Sequence, residues 1–240
     1  MTSSSTATLL SAALLSAGLA LAGFFVSHTL YNAKTAVNTA EVKGLSIRRV
    51  EADLAYWSVG VSVSGSADES RSSLYERTEE QQRAIAELLR EQGFDDHEME
   101  FGTIDYSVYE YRNDQHEVVE SSQHMSGEVR VETSKVRSVK EARGALNQLV
   151  AKGFDLDNEA PTYHFTSLNT IKPPMLQEAT TNARVAATQF AEDAGVQVGS
   201  IRSARQGMFS IVDVGSSYGD TRNIEKEVRV ITHIEFYLIE

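Results

Sequence analysis

The chain contains no cysteine. Disulfides, thiolate nucleophiles and cysteine-ligated metals are thereby excluded, while the compartment stays open. Charge is missing from the N-terminal stretch: Met1 to Ala33 holds no Asp, Glu, Lys or Arg, and Leu9 to Leu30 is almost wholly apolar. Recognisable catalytic motifs are missing as well. Gly60 and Gly65 have the spacing of a phosphate loop, but Ser66-Ala67 stands where Lys-Ser/Thr would have to reach phosphate and magnesium. His116-Glu117 opens like a zinc-protease helix, yet Glu120 replaces the second histidine and the segment reads as a strand. The histidines at 28, 97, 116, 124, 164 and 233 show no ligand spacing. Asp95, Asp96, Glu98 and Glu100 form an acidic cluster without the glycine-punctuated pattern of a calcium loop, and reads as a solvated turn. No serine lies in a G-x-S-x-G elbow. No catalytic, cofactor-binding or metal-ligating residue is therefore assigned, no cofactor is expected, and the reading leans away from an enzyme.

What the N-terminal stretch does have is length. A helix over Leu9 to Leu30 would extend roughly 30 Å, the thickness of a bilayer's hydrocarbon layer. Ala20-Leu21-Ala22 could serve as a signal-peptidase site, but the basic start of a signal peptide is absent and the apolar run continues to Tyr31. An uncleaved transmembrane anchor over residues 1–33 is the favoured reading. Lys34, Lys43, Arg48 and Arg49 follow the helix and no basic residue precedes it, which taken alone places the rest of the chain in the cytoplasm.

The net charge of −12 falls entirely after the anchor. That acidity argues against nucleic acid or an anionic lipid surface as a partner and serves solubility. Residues 34–40 read as a tether and 41–240 as one domain with a single core. Strands are expected over Glu41 to Val50 and Leu54 to Ser64; in the second, Ala55, Trp57, Val59, Val61 and Val63 share the buried face. A helix follows from Glu69 to Gln92, with Leu74, Thr78, Gln81, Ile85 and Leu88 on its apolar stripe. Met99 to Arg112 and Glu117 to Thr133 form a hairpin turning at Asn113-Asp114. Ser138 and Glu141 read as the capping box of a second helix reaching Lys152. The stop Leu89-x-x-x-Gly93-Phe94-Asp95 recurs as Leu149-x-x-x-Gly153-Phe154-Asp155, which either marks a degenerate duplication or repeats a common helix ending. After a strand at Thr162 to Ser167, Pro173-Pro174 introduce an alanine-rich helix through Leu176, Ala179, Ala183, Ala186 and Phe190, closing at Gly195. Strands near Ile201 to Val214 and Val228 to Ile239 complete an α+β fold, an antiparallel or mixed sheet with helices on one face behind the N-terminal transmembrane helix. Arg202, Arg205, Arg222 and Lys226 make at most a weak basic surface among acids.

Lys43-Gly44-Leu45 through Arg49-Val50, Ala52-Asp53-Leu54-Ala55 and Trp57 resembles the opening of SIMPL-domain proteins, a bacterial family long classed as a domain of unknown function (DUF541). Phe165-Thr166-Ser167-Leu168-Asn169, Ile171-Lys172-Pro173, Glu178-Ala179-Thr180, Asn182-Ala183-Arg184 and Gln206-Gly207-Met208-Phe209 are similar to later segments of that family, in the same order. The resemblance runs over about Glu41 to Glu240 and fits best the membrane-anchored bacterial branch. It implies an inner-membrane, single-pass protein with its body in the periplasm, assembly into a homo-oligomer, and an association with envelope or oxidative stress. That location opposes the charge rule. The resemblance supplies no catalytic residue. The expected partners are a lipid bilayer at the N-terminal helix and further copies of the chain, meeting through the alanine-rich face or a sheet edge. The alternatives are a ligand-binding or enzymatic domain with a site spread over strand ends, and a cytoplasm-facing membrane adaptor.

Overall fold

The structure, a computed structural model, describes the backbone of residues 3–35, 38–216 and 219–239, and side-chain environments for 14–30 and the two later ranges. The elements in order are α1 (Ser3–Thr35), β1 (Thr39–Glu51), β2 (Leu54–Ser66), α2 (Arg71–Glu91), β3 (Met99–Phe101), β4 (Asp105–Arg112) and β5 (Val118–Thr133), followed by α3 (Ser138–Ala145), α4 (Asn147–Ala151), β6 (Asp155–Asn158), β7 (Thr162–His164), α5 (Leu168–Asp193), β8 (Gln197–Gln206), β9 (Ser210–Asp213) and β10 (Glu225–Ile239). The fold is mixed α+β. Contacts gather into two compact units: the first comprises Met1–Ser46, Leu176–Met208 and Val230–Glu240, the second Ile47–Met175 and Phe209–Arg229.

In the second unit the strand order is β3-β5-β2-β6, with β4 also on β5 and β7 also on β2, all antiparallel. The alternation expected of β2 is what the sheet uses: Ala55, Trp57, Val59, Val61 and Val63 are buried while Tyr56 faces outward. Against that inner face lie Ile85, Leu88 and Leu89 of α2 and Val139, Ala142, Leu146 and Leu149 of α3 and α4. Each large side chain so buried contributes about 2 kcal/mol. Both helical stops form as read. Gly93 and Gly153 each take φ 91°, and Phe94 and Phe154 donate N–H to Leu89 and Leu149 carbonyls at 3.1 Å. They occupy equivalent places: β2-α2-β3 and β5-α3-α4-β6 are strand-helix-strand halves, each sending its last strand to pair with the first strand of the other. This is the split β-α-β arrangement.

Four local expectations are corrected. The single strand Met99 to Arg112 is interrupted after Phe101, where the Gly102 N–H turns to the Glu128 carbonyl. Beside Thr78, the buried polar residue of α2 is Gln82 rather than Gln81; the Gln82 amide donates to the Gly102 and Glu128 carbonyls at 3.3 and 3.0 Å and so ties the helix to β5 beside that break. Ser138 caps nothing, because it is itself the first helical residue of α3 and no side-chain cap forms there. The alanine-rich helix begins at Leu168, before Pro173 and Pro174, which sit inside it. Asp53 explains the early start: its carboxylate accepts the Thr166 and Ser167 N–H groups at 2.7 and 2.9 Å, supplying from β2's approach the cap that helix needs.

In the first unit the order is β1-β10-β8. Ala179, Ala183, Ala187 and Ala191 of α5 are buried, Ala183 and Ala187 in one cluster with Val42, Ile234 and Phe236. Of the alanine-rich face proposed as an oligomer contact, Ala179 and Ala183 are thus packed in the chain's own core, while Phe190 is exposed. The reason is spacing: small residues every four positions let helix and sheet backbones approach closely, and Gly44 of β1 lies against the Ala179 carbonyl.

Among the described residues no helix is long and apolar enough to cross a membrane. The expected span Leu9 to Leu30 reaches into residues 9–13, whose side chains lie outside the described set; residues 14–30 alone extend about 25 Å. Every one of residues 14–30 is exposed, including Leu15, Leu19, Phe24, Phe25 and Leu30.

Candidate functional site

Among the described residues, α2, α3 and α4 pack against the inner face of the second unit's sheet, and Tyr56 is exposed on the outer one. At one end of it the register sets Tyr56 opposite Glu132 and Thr162, and Ser58 opposite Arg130, which in turn faces Glu100. With Glu159, Ala160 and the turn at His97 these residues line an open cleft of about 450 Å³, which Trp57 and Val131 also border. Tyr56 stands edge-on to His164, ring centroids 5.4 Å apart. Ser58 donates its hydroxyl to Glu128 at 2.7 Å, and Glu128 also pairs with Arg130. The Ser58 hydroxyl lowers the Glu128 carboxyl below the ordinary range; burial opposes it and Arg130 adds to it. The cleft thus has aromatic, carboxylate and guanidinium groups, the repertoire of a binding surface, and no nucleophile set against a base.

A serine–histidine contact does occur further along the same face. Ser64 Oγ lies 2.9 Å from His124 Nδ1, but the other ring nitrogen meets the Ser122 hydroxyl at 3.3 Å instead of a carboxylate. No acid orients the imidazole, so the triad logic fails. Among the described residues no group of three or more His, Cys, Asp or Glu is placed to hold a metal ion.

The residues singled out from sequence mostly perform structural tasks. Asp95 and Glu98 of the acidic cluster converge on Lys135, whose ammonium donates to Asp95 Oδ2 at 2.7 Å, to Glu98 Oε2 at 2.8 Å and to the Gly93 carbonyl at 2.8 Å. Glu98 also accepts from the Asp95 N–H at 2.8 Å and the Thr133 hydroxyl at 2.6 Å. Burial alone would raise the Glu98 carboxyl; the Asp95 N–H, Lys135 and Thr133 outweigh it and hold it at about 2, against an ordinary 4.5. A folded-state value below the unfolded one means stability that is fully present above pH 4.5 and lost as pH falls toward 2. Since Lys135 is partly solvated, the contribution is about 1–3 kcal/mol. Glu98→Gln should lower the melting temperature at neutral pH by roughly 4–8 °C. Melts repeated from pH 7 downward should show the variant and parent curves converging near pH 2; a constant gap would contradict this account.

Lys226, placed above in a weak basic surface, is instead fully buried. Its ammonium donates to Asp213 Oδ1 at 2.6 Å and the Asp220 carbonyl at 2.5 Å, while Asp213 Oδ2 accepts the N–H groups of Arg222 and Asn223 at 2.9 and 3.1 Å. The pair holds the connection between β9 and β10.

Segments far apart in sequence meet in the second unit. Asp53 grips Thr166 and Ser167, Thr166 Oγ1 adding a bond at 2.9 Å, and Lys172 Nζ stands 6.0 Å from the Phe209 ring centroid. The cleft is not evident from sequence, although one signal is there: Tyr56 is the lone aromatic on a strand face that from Ser58 onward is only Ser and Gly.

A comparison with curated proteins finds no match. A family model described as SIMPL, protein of unknown function (DUF541), matches residues 40–227, from the first residues of β1 into β10. That span contains the cleft, the Asp53 clamp, the Lys135 cluster and the buried Lys226, and the chain belongs to the SIMPL family.

Proposed function

We propose that this SIMPL protein is held in the inner membrane by its N-terminal helix and that its acidic body stands in the periplasm, associates with further copies and catalyses no reaction. An envelope or oxidative-stress role follows from the same family-based reading. The observation that carries the anchor is α1. Over residues 9–30 its sequence is almost wholly apolar with no ionisable residue but His28, and residues 14–30 are all exposed. A helix without a polar face is stable only where another apolar phase covers it. Lipid is the covering that its sequence length fits. Lys34, Thr35, Asn38 and Thr39 in the segment 34–40 end the apolar run and support a tether to a water-exposed body.

Deleting residues 1–33 should move the chain from alkali-resistant membranes into the soluble fraction, with its circular dichroism otherwise retained. Release of the full chain by alkaline carbonate would refute the anchor. A reporter active only outside the cytoplasm, fused after Glu240, should give signal; silence would favour the orientation expected from Lys34, Lys43, Arg48 and Arg49.

The cleft beside Tyr56 favours a second reading, in which the body binds a small ligand. Its volume suits one, and its polar groups converge on an aromatic wall.

A further inference from the structure

We infer that the free edge of β4 is the surface through which two copies of this chain join, strand against strand about a twofold axis. The inference rests on the self-association proposed above and names where it happens. Edges that stay solvent-exposed are normally short, charged or bulged, because an open row of N–H and C=O groups templates pairing with another chain. On one side of the second unit's sheet the rule is kept: β6 is four residues long and carries Asp155, Asp157 and Asn158, and β7 has three residues. In the other sheet β1 carries Glu41, Lys43, Arg48, Arg49 and Glu51, and β8 has two register shifts against β10. β4 breaks the rule. Among the described residues it pairs only with β5, runs for eight residues, and is regular until a shift at Tyr111/Arg112.

Its side chains are as unprotected as its backbone. Tyr109 is 62% exposed, Tyr111 69% and Val119, across the hairpin, 62%, with Val108 and Val118 each 46%. These five side chains offer on the order of 500 Å² of apolar surface per copy. Strand pairing would cover Tyr109 and Tyr111 on one side of the sheet and Val108 on the other together with the backbone edge, the footprint of a small interface. The hairpin is also prepared for a partner. Its tip is locked by Asn113 Oδ1, which accepts the Gln115 and Glu117 N–H groups at 3.0 and 2.9 Å, and Tyr109 rests on the His124 ring at 4.9 Å. Little ordering entropy remains to be lost on pairing.

A second copy is favoured over another occupant because the strand suits itself. In a sheet continued by a twofold axis, residues facing each other lie on the same side of the sheet, so the axis passes through a residue. An axis at Val108 sets Val108 against its counterpart, with Tyr106 against Glu110; an axis at Tyr109 makes an aromatic pair, with Val108 against Glu110 and Tyr106 against Arg112. Neither opposes like charges, whereas an axis at Glu110 would. The acidic tip, with Asp114, Glu117 and Glu120, disfavours an anionic bilayer.

The absence of cysteine makes the test clean. In the full chain in detergent, Val108→Cys and Tyr109→Cys are oxidised separately; facing residues in an antiparallel pair lie about 4.5–5.5 Å apart at Cα, within disulfide reach. One of the two should form a covalent dimer at least tenfold faster than Asp157→Cys on the blunted edge. Tyr109→Lys/Tyr111→Lys should lower the mass measured by light scattering with an unchanged far-ultraviolet spectrum. If the parent chain assembles, neither cysteine cross-links above the control and the lysine variant keeps its mass, this edge is refuted while self-association stands. A parent that is monomeric at every concentration refutes both. A lysine variant that loses vesicle binding at unchanged mass identifies lipid as the hairpin's occupant and also overturns the inference.

Discussion

Gly44→Ala should remove most of the first unit's stability. A β-carbon built on Gly44 lies 1.8 Å from the Ala179 carbonyl oxygen, 2.8 Å from its carbon and 2.9 Å from the Ala183 β-carbon. Two of these atoms are backbone of α5, so no rotamer change relieves the clash; the helix would have to lift from β1. Lifting it uncovers Ala179 and Ala183, both fully buried, and loosens the cluster that holds Val42, Ile234 and Phe236. The cost is about 4 kcal/mol or more, at the upper end of overpacking effects. A melting temperature lower by on the order of 10–15 °C should result. Protease cleavage within 176–208 should rise with it. Gly144→Ala is the matched control: that glycine lies in α3, has no atom within 4 Å of its would-be β-carbon, and should gain about 0.5–1 kcal/mol. An unchanged melt for Gly44→Ala would show that α5 does not seat where its alanines place it.

Lys226→Met should be nearly as damaging, for an electrostatic reason. Lys226 is fully buried and Asp213 is 3% exposed. Removing the ammonium leaves a buried carboxylate with two N–H donors and no counter-charge, a loss of about 3–5 kcal/mol. The pH dependence identifies the cause. In the parent, burial would raise the Asp213 carboxyl, but Lys226 and the Arg222 and Asn223 N–H groups outweigh it and lower the carboxyl below its ordinary value. The parent's pair therefore contributes stability above pH 3.8 and loses it as pH falls. In Lys226→Met the carboxyl loses its counter-charge and should titrate higher than in the parent, so less stability should be lost on acidification. The gap between parent and variant should narrow on acidification. Adding Asp213→Leu should recover only part of the loss, because the Arg222 and Asn223 N–H groups then lack acceptors. Equal melts at pH 7 for Lys226→Met and its parent would contradict the assignment.

Much of the fold is legible in the sequence where a local rule and the tertiary structure agree. β2 announces itself because one face is packed by helices and the other is not, and Gly93, Gly153 and Gly195 end helices because their positive φ suits the αL position. The failures share a cause: the deciding partner is distant in sequence. Asp53 caps a helix 115 residues further on, so Pro173 looked like the helix start when Leu168 was. Gln82 reaches Glu128 across the break after β3, which no periodicity within α2 could reveal. Lys226 looked like surface charge because Asp213, its counter-ion, stands on another strand. The cleft was the least legible feature. Its lining comes from β2, β3, β5 and β7 through register, with Glu159, Ala160 and the turn at His97, and register is not written in any one segment.

The claim on which the functional account stands is that α1 lies within lipid, and the cysteine-free chain allows a direct test at one atom. A spin label on Phe24→Cys, in full-length protein reconstituted into bilayers, reports collisions with oxygen, which partitions into lipid, and with a water-soluble nickel chelate. The account predicts oxygen-dominated relaxation at position 24 and nickel-dominated relaxation for the same label at Ser107 on the body. Nickel contact at position 24 as frequent as at Ser107 would contradict it.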